Sequence, residues 1–309
     1  MFFATKDSGR KKEDRLRVGG QAVIEGVMMR SPNSMAVAVR RPNGEIVVKR
    51  EKLDFFSEKK FLSKLPLVRG VISLLSALVL GMKALNFSAN QSLEEEQEVS
   101  SWTMGLTFTF ALGFGIFLFF MIPLFLTKWL RFTIPVVSTS GIIFNLVDGV
   151  LRLMIFLAYL RAISFFREVR RIFQYHGAEH KSIFAFESGD GEALTPDRVR
   201  GFSYLHPRCG TSFLLIVMVV SILVFALVPH QLSFGYKVAS RVVFIPLIAG
   251  LAYEIIRFAD QKRERRIMQC FIKPGLWLQR LTAREPSEDQ IEVALRALRE
   301  VLELEGRQR

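Results

Sequence analysis

The stretch TMGLTFTFALGFGIFLFFMIPLFLT, residues 103–127, contains no charged side chain in 25 consecutive positions. The hydrocarbon core of a bilayer is about 30 Å thick, so an α-helix needs about 20 predominantly apolar residues to cross it. This stretch is therefore predicted to be a transmembrane helix. The composition points the same way, because 50% of the 309 residues are hydrophobic, 28 are Phe and the mean hydropathy is +0.28.

Three further stretches are predicted to be spans: residues 141–160, 211–229 and 242–258. The first contains Asp148 and Arg152, and the last contains Glu254, so both carry charge where a span is usually apolar. The sequence thus predicts an all-α polytopic membrane protein with about four transmembrane helices in the lipid bilayer.

The basic residues are distributed unevenly between the two sides of these spans. Lys and Arg number 17 in residues 1–101, eight in 161–210 and 12 in 257–309, against two each in 128–140 and 230–241. This positive-inside bias predicts a multi-pass protein of the plasma membrane with both termini in the cytosol. The same bias explains the net charge of +13. Nucleic acid is not an expected partner, because no basic stripe interleaved with aromatics accompanies that charge.

The segments between and beyond the spans are predicted to lie at or on the cytosolic side. They are a disordered basic tail (1–17), a β-hairpin segment (18–60), an interfacial or re-entrant helix (67–87), a loop carrying a metal site (161–210) and a helical tail (259–309). Asn43-Gly44 predicts the hairpin turn, because both residues tolerate a positive φ. The apolar run within 67–87 is too short to span and is followed by Lys83.

Two amphipathic helices are predicted on the cytosolic side. Residues 165–174 have an apolar and a charged face, which is typical of a helix lying along the membrane surface and keeps the histidines that follow near the bilayer. Near the C-terminus, Ser287 and Gln290 form a capping-box pattern ahead of an apolar stripe. That stripe predicts a helix packed against another part of the protein.

The scarcest side chains of the chain are clustered in the loop 161–210. Three of the four histidines and one of the two cysteines lie within 34 residues, in His176-Gly-Ala-Glu179-His180 and His206-Pro-Arg-Cys209. On a helix, His176, Glu179 and His180 share one face. Zinc accepts imidazole nitrogen and thiolate sulfur, so the three histidines and Cys209 would fill a tetrahedral shell.

Two kinds of zinc site are compatible with these residues. With all four ligands the shell is closed and the site is structural. With three ligands a position remains for water, and Glu179 is the candidate for proton transfer. The order His-x-x-Glu-His is also that of the inverted zinc metallopeptidases. Glu254, near the cytosolic end of the last span, is a further candidate ligand, although an ion pair with Arg257 is favoured.

Two other groups of polar residues have competing interpretations. Asn145, Asp148 and Arg152 lie on one face of the second span, and an internal salt bridge and a functional intramembrane site are equally favoured. Glu25 stands alone in an apolar stretch. An exposed strand residue is the favoured interpretation for it, and a supporting role beside a metal is the alternative.

Four segments give the chain a resemblance to a known family: GGQAVIEGVMMR at 19–30, YHGAEHK at 175–181, LHPRCGTSF at 205–213 and PGLWLQRLT at 274–282. In these segments the chain resembles the YqhQ family of bacterial membrane proteins. The resemblance implies a multi-span membrane protein of a kind suggested to be a metal-dependent enzyme, with no established substrate. It attaches that suggestion to five residues: His176, Glu179, His180, His206 and Cys209.

The resulting prediction is a zinc-dependent hydrolase acting on a membrane-associated substrate at the cytosolic surface. In it His176 and His180 bind Zn²⁺, His206 and Cys209 complete the shell or leave one place open, and Glu179 activates water. A non-enzymatic membrane scaffold with a structural zinc is the alternative. A second alternative is small-solute transport, which would rest on the polar intramembrane residues Asn145, Asp148, Arg152 and Glu254. It is weakened because four spans without an inverted repeat make a poor transporter core.

Overall fold

A computed structural model describes residues 16–53, 65–93, 100–189, 193–207, 209–229, 233–261 and 266–306. Residues 1–15 of the predicted basic tail lie outside this part of the chain. The described residues form a bundle of mostly apolar helices and a small antiparallel sheet near the N-terminus.

The N-terminal β-structure is more extensive than the predicted hairpin. Four strands pair in sequence order as an antiparallel meander: β1 (Gly19–Val23), β2 (Gly26–Arg30), β3 (Ser34–Arg40) and β4 (Ile46–Lys52). Gly44 adopts a φ of 87° in the β3–β4 turn, as the Asn43-Gly44 pattern predicts. The β1–β2 turn is Ile24-Glu25, with Glu25 at a φ of 50°, and it carries no glycine or asparagine signal.

The helices follow in the order α1 (Val68–Gln91), α2 (Ser101–Ile116), a π-helical segment (Phe117–Met121), α3 (Ile122–Thr133), α4 (Val136–Thr139), α5 (Gly141–Ile163), α6 (Arg167–Ser188), α7 (Pro196–Arg200), α8 (Gly210–Ala226), α9 (Phe234–Val243), α10 (Ile245–Gln261), α11 (Arg266–Thr282) and α12 (Glu288–Leu304). Helix α12 begins with the predicted capping box, in which the Ser287 backbone N–H donates to Gln290 Oε1 at 3.0 Å.

Three helical stretches are long and apolar enough to cross a membrane: Val68–Gln91, Gly105–Thr133 and Gly141–Ile163. Helices α9 and α10 meet at a bend of 41° and would supply a fourth as one broken span. Helix α8 is apolar throughout but has 17 residues. Three to four such helices are compatible with a multi-pass membrane protein, as the sequence predicts.

Helix α1 begins beside α10 and ends on the sheet. Gly70 packs against Tyr253, whereas Leu80 and Ala84 are buried against the strands. The residues before this contact, 68–79, cover about 18 Å at about 1.5 Å per residue, which is less than the hydrocarbon core. The full 24-residue helix is long and apolar enough to span, so the interfacial or re-entrant placement of residues 67–87 stays a prediction.

The sheet is covered on both faces, which explains why residues 34–39 of β3 are all buried. One face contributes Met28, Met35 and Val37 to a core with α1. The other contributes Val27 and Met29 to a larger core with α6 and α12. Because side chains alternate along a strand, a single sheet separates the two cores. Helix α6 is thereby fixed against the sheet, and it is the helix that carries the histidines.

Helix α6 also touches the chain between α11 and α12. A Cβ on Gly177 would overlap the carbonyl oxygen of Arg284, whose own N–H donates to Phe173 O at 2.9 Å. Only a glycine allows the two backbones to approach this closely.

Replacement of Gly177 by alanine should therefore destabilise the fold, because either the backbone of α6 or that of Arg284 must move to make room for the new Cβ. Overpacking of this kind costs about 1–3 kcal/mol. Gly113→Ala in α2 is the matched control, since a Cβ there meets no atom within 4 Å. Thermal unfolding in detergent should give a lower Tm for Gly177→Ala only, and equal Tm values for the two variants would contradict the packing described.

Candidate metal centre

The orientation of α6 about its own axis determines which of its side chains face the helical bundle. Tyr175 and Ala178 are fully buried in the core with the sheet and α12. His176, Glu179 and His180 therefore turn toward the N-terminus of α8 and the C-terminus of α11, which lie on another side of the helix. The amphipathic helix predicted at 165–174 is the first part of this same 22-residue helix.

Three predicted ligands are brought together. The nearest nitrogen of His176, that of His180 and the Cys209 sulfur all lie within 4.8 Å of one another, and His176 Nε2 is 3.1 Å from Cys209 Sγ. Ligand atoms on a tetrahedral zinc are roughly 3.3–3.8 Å apart, given bond lengths of about 2.0–2.3 Å. Small side-chain adjustments would let all three reach one ion. Cys209 is also the N-cap of α8, where its Sγ accepts from the Thr211 N–H at 3.4 Å.

Backbone carbonyls orient both imidazoles of α6. His176 Nδ1 lies 2.7 Å from Thr282 O, and His180 Nδ1 lies 2.6 Å from Tyr204 O. A carbonyl only accepts, so each Nδ1 must carry the proton and each Nε2 presents a lone pair. This arrangement, with an oxygen acceptor behind the ligating ring, is the usual support of a metal-bound histidine.

The His180 ring has the state that a ligand requires. Its Nε2 is buried and forms no hydrogen bond of ordinary geometry among the described residues, although the Cys209 thiol lies close enough to act on it. Burial lowers the pKa of His180, which keeps the ring neutral, while the nearby Cys209 opposes that shift. A buried lone pair without a partner is costly, and a metal ion would remove that cost. The donor set therefore fits zinc.

Glu179 lies beside both rings without joining the trio. Its Oε2 is 3.9 Å from His176 Nε2 and 4.0 Å from His180 Nε2. Burial raises the pKa of Glu179, whereas the neighbouring histidines and the backbone N–H of Gly20 lower it. A Cβ on Gly20 would lie 2.6 Å from Glu179 Cγ, so the absent side chain makes room for the carboxyl group.

His206 lies beside His180 but outside the cluster of His176, His180 and Cys209. Its ring centroid is 5.6 Å from that of His180, and its Nε2 is 3.6 Å from Glu187 Oε2. Gln279 holds its backbone, accepting from His206 N at 2.8 Å and donating to His206 O at 2.7 Å. His206 thus supports the site with a carboxylate partner that sequence reasoning did not include.

Two acidic residues considered from the sequence lie elsewhere. Glu254 accepts from Arg69 Nε at 2.6 Å, so it joins α10 to α1 and is absent from the ligand cluster found among the described residues. Glu25 pairs with Arg171 and accepts from Tyr175 Oη at 3.3 Å. Rather than standing exposed, Glu25 ties the β1–β2 turn to α6 one residue before His176.

Two comparisons with known proteins bear on this arrangement. A family model described as "Protein of unknown function (DUF1385)" matches residues 65–304. The uncharacterized protein YqhQ of Bacillus subtilis (strain 168) is 33% identical over 312 aligned positions, covering 93% of each chain. The chain belongs to this family. The resemblance seen in the sequence is confirmed, and no solved structure matches the chain significantly.

All four segments that carry the family resemblance meet at the metal centre. The first supplies Gly20, the second His176, Glu179 and His180, the third Cys209, and the fourth Gln279 and Thr282. The shared segments of the family thus build one place in the fold, although they are spread over most of the chain.

Purified protein should bind one zinc per chain, and His176→Ala, His180→Ala and Cys209→Ala should each weaken binding by more than about 100-fold. Even supporting partners of a metal ligand are worth about 10–100-fold. His230→Ala removes the one histidine outside the stretch 176–209 and is the matched control. Each variant is dialysed against chelators of increasing zinc affinity, and elemental analysis measures the zinc that remains bound. Zinc retained equally by all four variants would rule out the site.

Proposed function

We propose that this protein is a zinc-dependent hydrolase that acts on a membrane-associated substrate at the cytosolic surface of the plasma membrane. The observation that carries the proposal is the position of Glu179 Oε2, nearly equidistant from His176 Nε2 and His180 Nε2 at 3.9 and 4.0 Å. A carboxylate beside a ligand set, but outside it, is what a general base for water requires.

The ligand count supports a catalytic site. His176, His180 and Cys209 would supply three donors, and Glu179 lies beside the two nitrogen donors. A zinc ion held by these residues would supply a Lewis acid for activating water and polarising the scissile group. Glu179 Oε2 would accept the proton of the attacking water and return it to the leaving group. Its buried position keeps the carboxyl group away from bulk solvent.

The surroundings of the centre favour a substrate at the membrane. Helix α5, a candidate span, ends at Ile163, and α6 begins four residues later. Phe165 and Phe166 at this junction are 61% and 62% exposed, and the Arg161 guanidinium lies over the Phe165 ring. Aromatic and basic side chains together favour the interface between hydrocarbon and headgroups. The positive-inside bias of the sequence favours the cytosolic face.

A non-enzymatic scaffold with a structural zinc is the second candidate. His206 favours it, because its ring lies next to His180 and a rotation away from Glu187 would bring a fourth donor toward the other three. A closed shell would leave Glu179 without a catalytic role.

Glu179→Gln separates the two candidates. As a hydrolase, the zinc-loaded full chain should lose about 10²- to 10⁴-fold in rate, because an amide cannot accept the proton, while its zinc content is unchanged. The assay uses chromogenic carboxylic esters, phosphoesters and anilides in mixed micelles. Glu168→Gln, an exposed carboxylate in the first turn of the same helix, is the control. A hydrolytic rate unaffected by Glu179→Gln would contradict the proposal.

A further inference from the structure

A second cluster of ionisable residues is buried in the helical bundle, away from the metal centre. Asp148 and Arg152 of α5 form the i,i+4 pair that the sequence allows, with Oδ2 and Nη2 2.7 Å apart. Arg241 of α9 joins the same carboxylate oxygen at 3.1 Å. Arg152 bonds Ser221 of α8, which follows the candidate ligand Cys209 by 12 residues, or about 18 Å, so this cluster is separate from the candidate metal centre.

The cluster carries more positive than negative charge. Two guanidinium groups share the single carboxylate of Asp148, and Arg152 and Arg241 are 1% and 0% exposed. Lys237, one turn before Arg241, adds a further ammonium group over the Phe144 ring. Within the described part of the chain, no second carboxylate pairs with either arginine.

The hydrogen bonds of the cluster are incomplete. Arg241 reaches Asn145 and Asp148 through Nη2, and Arg152 reaches Ser221 Oγ through Nη1. Among the described residues, however, Arg241 Nε and Nη1, Arg152 Nε and Asp148 Oδ1 are buried without a hydrogen-bond partner. The Phe225 ring lies 4.2 Å from the guanidinium carbon of Arg241 and 5.0 Å from that of Arg152. Unpaired charged donors inside an apolar bundle are costly, so their persistence points to a ligand that accepts from them.

The helices around the cluster are irregular close to Arg152 and Arg241. Phe120, in the π-helical segment, lies against the Arg152 guanidinium with 5.0 Å between its ring centroid and the guanidinium carbon. The 41° bend between α9 and α10 follows Arg241 by three residues, at Phe244. Single π-turns are frequent at functional sites, and discontinuous membrane helices form the binding sites of many transporters.

We propose that Arg152 and Arg241 bind an oxyanion, specifically a singly charged phosphate group. The planar guanidinium presents paired N–H donors that match two oxygens of such a group. One negative charge would bring Arg152, Arg241 and Asp148 to neutrality, and Lys237 would leave the wider cluster with one positive charge. The group can belong to a lipid headgroup or to free phosphate, and the recognition chemistry is the same for both.

Thermal unfolding of the full chain in phosphate-free dodecyl maltoside tests this site with two probes. Inorganic phosphate and phosphatidylglycerol are added separately, with chloride at equal ionic strength and neutral diacylglycerol as blanks. At about 100 times Kd the effective probe should raise the Tm by about 5 °C. A shift with the lipid alone identifies a headgroup, and a shift with phosphate identifies the free anion. No shift with either overturns the proposal.

Arg241→Gln leaves Asp148 and Arg152 as a balanced pair and should abolish the shift. Without ligand its Tm should equal or exceed that of the unaltered protein, whereas loss of a purely structural ion pair would lower it. Arg131→Gln, an exposed arginine in α3, removes the same charge from the net +13 and should keep the shift. Equal responses of the two variants would overturn the proposal.

Arg241→Lys covers the case in which Arg241→Gln does not fold. Lysine retains the positive charge but lacks the paired N–H donors of the guanidinium. The probe concentration that gives a half-maximal shift in Tm should therefore rise several-fold. An unchanged concentration would contradict recognition by the guanidinium.

Discussion

The approach of Arg284 to Gly177 positions the residues of the candidate metal centre. The carbonyl oxygen of Arg284 occupies the space where a side chain on Gly177 would be, and its N–H is bonded to Phe173. Thr282, two residues earlier, is thereby placed to accept from His176 Nδ1. One backbone contact sets both the distance between α6 and α11 and the direction in which the first imidazole points.

A second close contact joins the N-terminal sheet to α6. Gly20 of β1 leaves room for the Glu179 side chain and donates its N–H to it. Glu25, in the next turn of the sheet, binds Arg171 and Tyr175 on the same helix. The N-terminal sheet therefore does not merely cover the core. It fixes the carboxylate relative to the two histidines.

The sequence is enough to select the side chains that the structure clusters, because the evidence for them is local. His176, Glu179 and His180 need only one helix to share a face, and Cys209 is scarce enough to be noticed. The β3–β4 turn is equally local. The sheet as a whole was underestimated, since the Ile24-Glu25 turn between β1 and β2 lacks the residues that usually mark a two-residue turn.

The remaining parts depend on contacts between distant residues. Glu254 meets Arg69 across 185 positions, and Arg241 meets Asp148 across 93. Nothing in a local pattern predicts those pairs. The carbonyls of Thr282 and Tyr204 have no side-chain signature at all, and the turn of His206 toward Glu187 is decided by how Gln279 holds its backbone. The sequence thus indicates the candidate ligand side chains but not the groups that orient them.

X-ray absorption at the zinc edge of the zinc-loaded chain tests the central claim most directly, because it counts and identifies the ligand atoms. The account predicts one sulfur at about 2.3 Å together with nitrogen and oxygen at about 2.0–2.1 Å. The sulfur contribution should disappear in Cys209→Ala. A spectrum of the unaltered protein without a sulfur neighbour, or with more than one, would contradict a centre built from His176, His180 and Cys209.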